Sequence, residues 1–200
     1  MATQEKDIYF GTPKEIVEFA KLLVPKMAGM MALMAKAVYE KYGEEAIQVI
    51  AEEVKAAARE KGRKFTAEYL EETGDKAENI DVEKALTKIY AKSHGALAAA
   101  GLDLRRQKLT PTESESHVHY CGLCEGWKST WPEGTKYLCY IYSTEHDVGF
   151  MEGVHPNLKW VAHAEQDDSQ SGLAHIPPGE LKPGGDAATP CIMKLKLIKD

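Results

Sequence analysis

Apolar residues recur at helical spacing through most of the first hundred positions and alternate with polar ones near the C-terminus. The chain therefore reads as helices followed by a small sheet. Thr12-Pro13-Lys14-Glu15 places a capping hydroxyl, a proline at the first helical position and a glutamate three residues after the cap. The helix this predicts has its apolar face on Ile16, Phe19, Ala20 and Leu23, and Pro25 should start or kink a second segment. Met27, Met30, Met31 and Met34 continue at helical spacing, a stripe that predicts adaptable core packing. Gly43 breaks the pattern. Residues 44–62 resume it with Ile47, Ile50, Ala51, Val54 and Ala58 on one face. Asp81 is placed to cap a helix over residues 82–99, with Leu86, Ile89 and Tyr90 inward and Gly101 at its end.

The pattern changes at Leu102. Residues 102–109 and 115–121 flank the turn-prone Thr110-Pro111-Thr112 and predict an antiparallel hairpin. A short helical or irregular stretch runs to Trp131, and Pro132-Glu133-Gly134 punctuates the chain. Residues 135–151 then predict a helix crossing the sheet, with Leu138, Ile141, Tyr142 and Phe150 apolar. Strands are expected over 158–165 and 191–198, the latter alternating Ile192, Met193, Leu195 and Leu197 with Lys194, Lys196 and Lys199. Between them lies a Gly-, Ser-, Asp- and Pro-rich stretch, 167–190, long enough to be a functional lid or a disordered segment. The fold class is α+β: a helical half over 1–101 and an antiparallel half over 102–200, within one compact domain.

Charge narrows the partners. With 25 basic and 31 acidic residues in 200, the net charge is -6, and no block of basic residues could neutralise a run of phosphates. Nucleic acid is not expected. Met1-Ala-Thr-Gln-Glu-Lys-Asp lacks the basic start and apolar stretch of a secretory signal, so a cytoplasmic location is expected. The most apolar stretch, 27–39, is interrupted by Lys36 and is shorter than the roughly 20 residues that span a bilayer; it reads as a core helix and not as a membrane segment. The apolar helical half predicts a homodimer. In a reducing compartment the four cysteines, at 121, 124, 139 and 191, are free thiols or metal ligands.

The candidate chemistry lies in the second half. Cys139, Tyr142 and His146 share one helical stripe. Cys139 and His146 are separated by about 10 Å of helix rise. They could still act from two sides of a bound ligand, the thiol as nucleophile and the imidazole as acid for a leaving nitrogen. A buried structural Cys and a surface His is the competing reading, and Asp147 is expected to be a solvated or capping carboxylate. His117, His119 and Cys121 alternate on one strand face, and Cys124 completes a Cys-Gly-Leu-Cys motif. Alternate strand positions are roughly 6.6 Å apart, too far for three consecutive zinc ligands. As a redox motif, the pair lacks in sequence the strand-to-helix context of a thioredoxin-like site. Cys121, Trp127 and Tyr142 are candidates to contact a small-molecule ligand. Trp131, Trp160 and Tyr140 could wall the same pocket or serve as core, and His175 could join it if the long loop closes.

Several motifs together resemble the L-2-amino-thiazoline-4-carboxylate hydrolase family: Val118-His119-Tyr120-Cys121 leading to Trp127, Leu138-Cys139, Asp147 through Phe150 to Pro156, and Gly185-Asp186 before Cys191. The likeness covers about residues 102–200. It implies hydrolytic opening of a small cyclic amidine or thiazoline-like carboxylate, with Cys139 and His146 as the catalytic pair. The layout also resembles the 4-vinyl reductase type of small-molecule-binding domain, which implies instead a non-catalytic sensor or carrier. That second resemblance implies a dispersed metal site at Cys139, His163, Glu165 and Cys191 for a divalent ion such as zinc. A pocket without metal is the alternative.

Overall fold

Two long helices, α1 (Lys14–Tyr42) and α2 (Glu44–Thr73), make up most of the N-terminal half. The computed structural model describes residues 14–94, 101–163, 166–167 and 190–198, and of these the side chains at 14–17, 143, 162–163 and 166–167 lie outside the description. Thr12 and Pro13 of the expected cap, the long loop with His175, and Glu165 fall outside the described residues. Gly43 ends α1 as anticipated: at φ 74 it turns the chain, and its N–H donates to Tyr39 O at 2.8 Å. Pro25 neither starts nor ends a segment, because α1 runs through it unbroken.

Helix α2 runs eleven residues past Gly62, where its pattern had been expected to stop. Gly62 is a contact glycine: a Cβ there would lie 2.2 Å from Phe150 O, so no side chain fits between the two backbones. The helix ends at Gly74, at φ 68, whose N–H caps Leu70 O. Helix α3 is described over residues 82–94, and Asp81 caps it as expected, accepting Lys84 N–H at 2.8 Å. Its middle, Ala85–Tyr90, is π-helical.

The antiparallel half follows. Strands β1 (Leu102–Leu109) and β2 (Glu113–Cys121) form the expected hairpin, closed by Thr110, which exchanges hydrogen bonds with Glu113. Helix α4 (Gly122–Thr130) starts directly from β2. Helix α5 spans residues 135–154, in three consecutive parts: Thr135–Cys139, a π-helical Tyr140–Glu145, and His146–Val154. Strands β3 (Leu158–His163), β4 (Gln166–Asp167) and β5 (Cys191–Leu197) complete one sheet of order β1-β2-β5-β3-β4, in which every pairing is antiparallel. The α+β class and the sheet-crossing helix are as the sequence implied.

Helix α5 is the hub. Its second half packs on α2 through Gly149 and Gly153, where an added Cβ would sit 2.3 Å from Lys55 O and 2.1 Å from Arg59 O. Lys55 pairs with the buried Glu145 at 2.9 Å, and Arg59 bonds Glu152, so each close approach has a charged clasp beside it. On its other side, Phe150 and Met151 join Leu158, Trp160 and Leu195 in a core shared with the sheet. A second core gathers Ala28, Ala32, Trp127, Leu138 and Cys139 between α1, α4 and α5.

Of the methionine stripe, Met31 is half-buried and the other three are not core. Met27, Met30 and Met34 are 54%, 66% and 64% exposed, in company with Phe19, Leu22 and Leu33. The small residues of α1 take the inward face instead: Val24, Ala28, Ala32 and Ala35 are buried. The reason is close approach. A Cβ at Gly126 of α4 would fall 2.1 Å from Pro25 O, so only a face of small side chains lets the helices touch, and the bulky residues turn outward. By length and composition Glu18–Tyr42 is apolar enough to cross a membrane.

Candidate functional site

Both π-helical stretches end at the same place. Tyr90 closes the one in α3, and Glu145 closes the one in α5 immediately before His146 and Asp147. A π turn changes where successive side chains aim, and such turns recur at functional sites. Here the result is a carboxylate surrounded by donors.

Asp147 is buried. Its Oδ1 accepts from Tyr90 Oη at 3.1 Å and faces His146 Nδ1 at 3.1 Å. Its backbone carbonyl accepts Trp160 Nε1–H from β3 at 3.0 Å. A desolvated carboxylate is tolerable only with such partners. This corrects the expectation of a solvated or capping Asp147, which rested on the divergence of adjacent helix positions. The imidazole of His146 reaches back to its neighbour, and Tyr90 comes from another helix.

His94 completes the group. Its ring stacks on Tyr90 at 4.1 Å and meets His146 and Phe150 edge-on at 5.2 and 4.9 Å. Burial pulls its pKa down from 6.5 to about 4, and Lys61 and His146 add to that against the opposing pull of Asp147. Neutral His94 has a defined tautomer. Nδ1 lies 3.2 Å from Tyr90 O, a group that only accepts, so Nδ1 carries the proton. Nε2 is then a bare lone pair, buried and without a hydrogen-bond partner among the described residues. Burial also lowers the Lys61 ammonium, which Asp147 holds up electrostatically. Burial and Asp147 raise the Tyr90 phenol well above its ordinary value, so it stays a donor.

His146 keeps its side chain 24% exposed, and its orientation follows from Asp147. The carboxylate oxygen accepts, so Nδ1 donates, and the neutral ring presents Nε2 as a base. An imidazole aligned by a carboxylate is the orienting half of a hydrolytic triad. The site therefore offers a base at His146, a lone-pair acceptor at His94, a phenol donor at Tyr90 and a cation at Lys61.

The cysteines form a different assembly. Cys139 is buried in the core of Trp127 and Leu138, where its thiol interacts with that of Cys124. Cys121 packs on the edge of that core and is in sulfur contact with Cys124. Its contacts thus put Cys139 with thiols, while those of His146 are Asp147 and His94. Cys121, Trp127 and Tyr142, expected to contact a ligand, do gather in one region: the rings of Trp127 and Tyr142 stack at 6.2 Å, and Trp127 Nε1 is buried with no partner among the described residues.

Cys191 opens β5 opposite Val118, in a small third cluster that Cys121 also borders. His163 ends β3, its side chain outside the description, and Glu165 lies beyond the described residues. No group of three or more His, Cys, Asp or Glu side chains is arranged to hold a metal ion among the described residues. His117 pairs with Glu115 at 2.8 Å, and its ring is 6.5 Å from that of His119.

Reading the sequence missed Tyr90, His94 and Lys61. Tyr90 and His94 are four apart on one helix, a spacing that puts two rings on one face, and that was the available signal.

In three dimensions the chain is similar to a trafficking protein particle complex subunit 3 from Naegleria fowleri covalently bound to palmitic acid, with 11% identity and a TM-score of 0.44 over 90% of this chain and 96% of that one. No curated protein matches in sequence. The model of the L-2-amino-thiazoline-4-carboxylic acid hydrolase family matches residues 26–167, which takes in α2, Tyr90, His94 and the whole of α5. The chain belongs to that family.

Proposed function

We propose that the protein opens the ring of a small cyclic amidine carboxylate of the 2-amino-thiazoline-4-carboxylate kind, using water activated by His146. The observation that carries this reading is the buried Asp147 bonded to His146 Nδ1, which leaves Nε2 as a base. Water oxygen bonds to the amidine carbon while one water proton passes to Nε2. The tetrahedral centre then collapses to a carbonyl as its bond to the ring nitrogen breaks, and that nitrogen leaves as an amine, taking the proton held by the imidazolium and the one released from the hydroxyl. Asp147 stabilises the imidazolium in between. The lone pair of His94 Nε2 suits an amidine N–H, and the Lys61 ammonium suits the substrate carboxylate.

The test is ring opening of 2-amino-thiazoline-4-carboxylate, followed by absorbance. His146→Ala and Asp147→Asn are each expected to lower kcat by roughly 10²- to 10⁴-fold. Wild-type rates in both variants would overturn the proposal. Cys139→Ser separates this route from attack by a thiol: water as nucleophile predicts a retained rate, and a loss as large as that of His146→Ala would assign the attack to Cys139. A wild-type chain that binds the compound without turnover would make the site a carrier.

A further inference from the structure

The Cys-Gly-Leu-Cys motif sits in a context its sequence did not disclose. Cys121 is the last residue of β2 and also the N-cap of α4, with extended backbone at φ -130 and ψ 107. Cys124 is then the third residue of the helix, and its N–H donates to Cys121 Sγ at 3.4 Å. A strand that feeds a helix through the first of two cysteines, with the second one turn on, brings both sulfurs to one side of the helix N-terminus. The two thiols interact, and neither is in a disulfide.

We propose that Cys121 and Cys124 are a dithiol–disulfide couple that exchanges with a low-molecular-weight disulfide such as glutathione disulfide. Accessibility sets the order of events. Cys121 is partly exposed, whereas Cys124 is 3% exposed. The Cys121 thiolate attacks one sulfur of the small disulfide, the S–S bond breaks, and one small thiolate leaves. Cys124 then attacks the Cys121 sulfur of the mixed disulfide and expels the second thiolate. Two protein thiols are oxidised and one disulfide is reduced to two thiols. The ring closed is only four residues long, so little chain entropy opposes it.

Cys139 makes this pair unlike an isolated one. It interacts with Cys124 within the same core, so Cys124 has two thiol neighbours. Cys121 lies at the meeting of the α1–α4–α5 core and the small cluster of Val118 and Cys191. A bond there ties the end of the sheet to the start of α4. At rest the couple is slow: contact with Cys124 and burial raise the Cys121 thiol well above 9, and for Cys124 the hydrogen bond from Cys121 is outweighed by Cys139 and burial, to about 12. The thiolate is the attacking form. The exchange rate should therefore keep rising with pH beyond the point where an ordinary thiol has levelled off.

The experiment equilibrates the full chain in graded glutathione buffers, quenches with acid, alkylates and digests with trypsin. Cleavage after Lys108 and Lys128 leaves both cysteines in one peptide, residues 109–128, whose disulfide form lacks two hydrogens and takes no alkyl groups. The expected result is one reversible two-electron transition in that peptide, still present in Cys139→Ala. Cys124→Ser is expected to trap glutathione on Cys121. Thiols that stay reduced at every ratio would overturn the proposal. So would a persistent wild-type glutathione adduct, or a cross-link confined to Cys124 and Cys139.

Discussion

Replacing His94 with Phe keeps the aromatic contacts to Tyr90 and Phe150 and removes one titrating group. The unfolded chain protonates His94 near 6.5, whereas the folded chain resists until about 4. Unfolding therefore takes up a proton between those values, and native stability falls as pH falls through that window. The contribution is whole above 6.5 and gone below 4. A change of that size corresponds to at most about 3 kcal/mol. His94→Phe lacks this term. Its stability relative to wild type should thus rise by up to about 3 kcal/mol between pH 7 and pH 4. Urea unfolding followed by circular dichroism at three pH values measures the difference. With a slope of about 2 kcal/mol/M, the variant's midpoint should gain up to about 1.5 M on wild type across the series. Parallel pH profiles for the two proteins would show that His94 titrates normally in the fold, and the argument for a bare, neutral Nε2 would fail with it.

Two further outcomes follow from the packing. Gly153→Ala puts a methyl 2.1 Å from Arg59 O and 3.0 Å from Arg63 N, both backbone atoms, so α2 and α5 must part; a loss of about 1–3 kcal/mol in urea unfolding is expected, and an unchanged midpoint would mean that the helices have room to spare. The outward stripe of Phe19, Leu22, Met30 and Leu33 on α1 is expected to be covered by a second copy of the chain. Light scattering should give twice the chain mass for wild type and the single mass for a Met30→Glu, Leu33→Glu variant, and a monomeric wild type would refute it.

The elements were legible because their signals are local. Asp81 before Val82, Gly43 after Tyr42, the Thr110-Pro111-Thr112 turn and the alternation after Cys191 each act within a few residues, and each did what its pattern implied. Misreadings came where a residue answers to a distant backbone. Gly62 looked like a helix end and is instead where Phe150 O passes; the methionines looked inward and are displaced by the alanines that let α4 approach.

The candidate site divides in the same way. Sequence by itself determined that His146, Asp147 and the cysteines lie in the second half, that His146 lies on a helix crossing the sheet, and that the family is one of hydrolases by name. Tertiary structure alone decided that Asp147 is buried against Tyr90 and Trp160, that His94 arrives from α3 with its pKa depressed, and that Cys121 links a strand to a helix. The physical reason is common to all three. Helical spacing reports which residues share a face, but desolvation and hydrogen bonding depend on what packs against that face, and here the partners are 57 and 13 residues away from Asp147 along the chain.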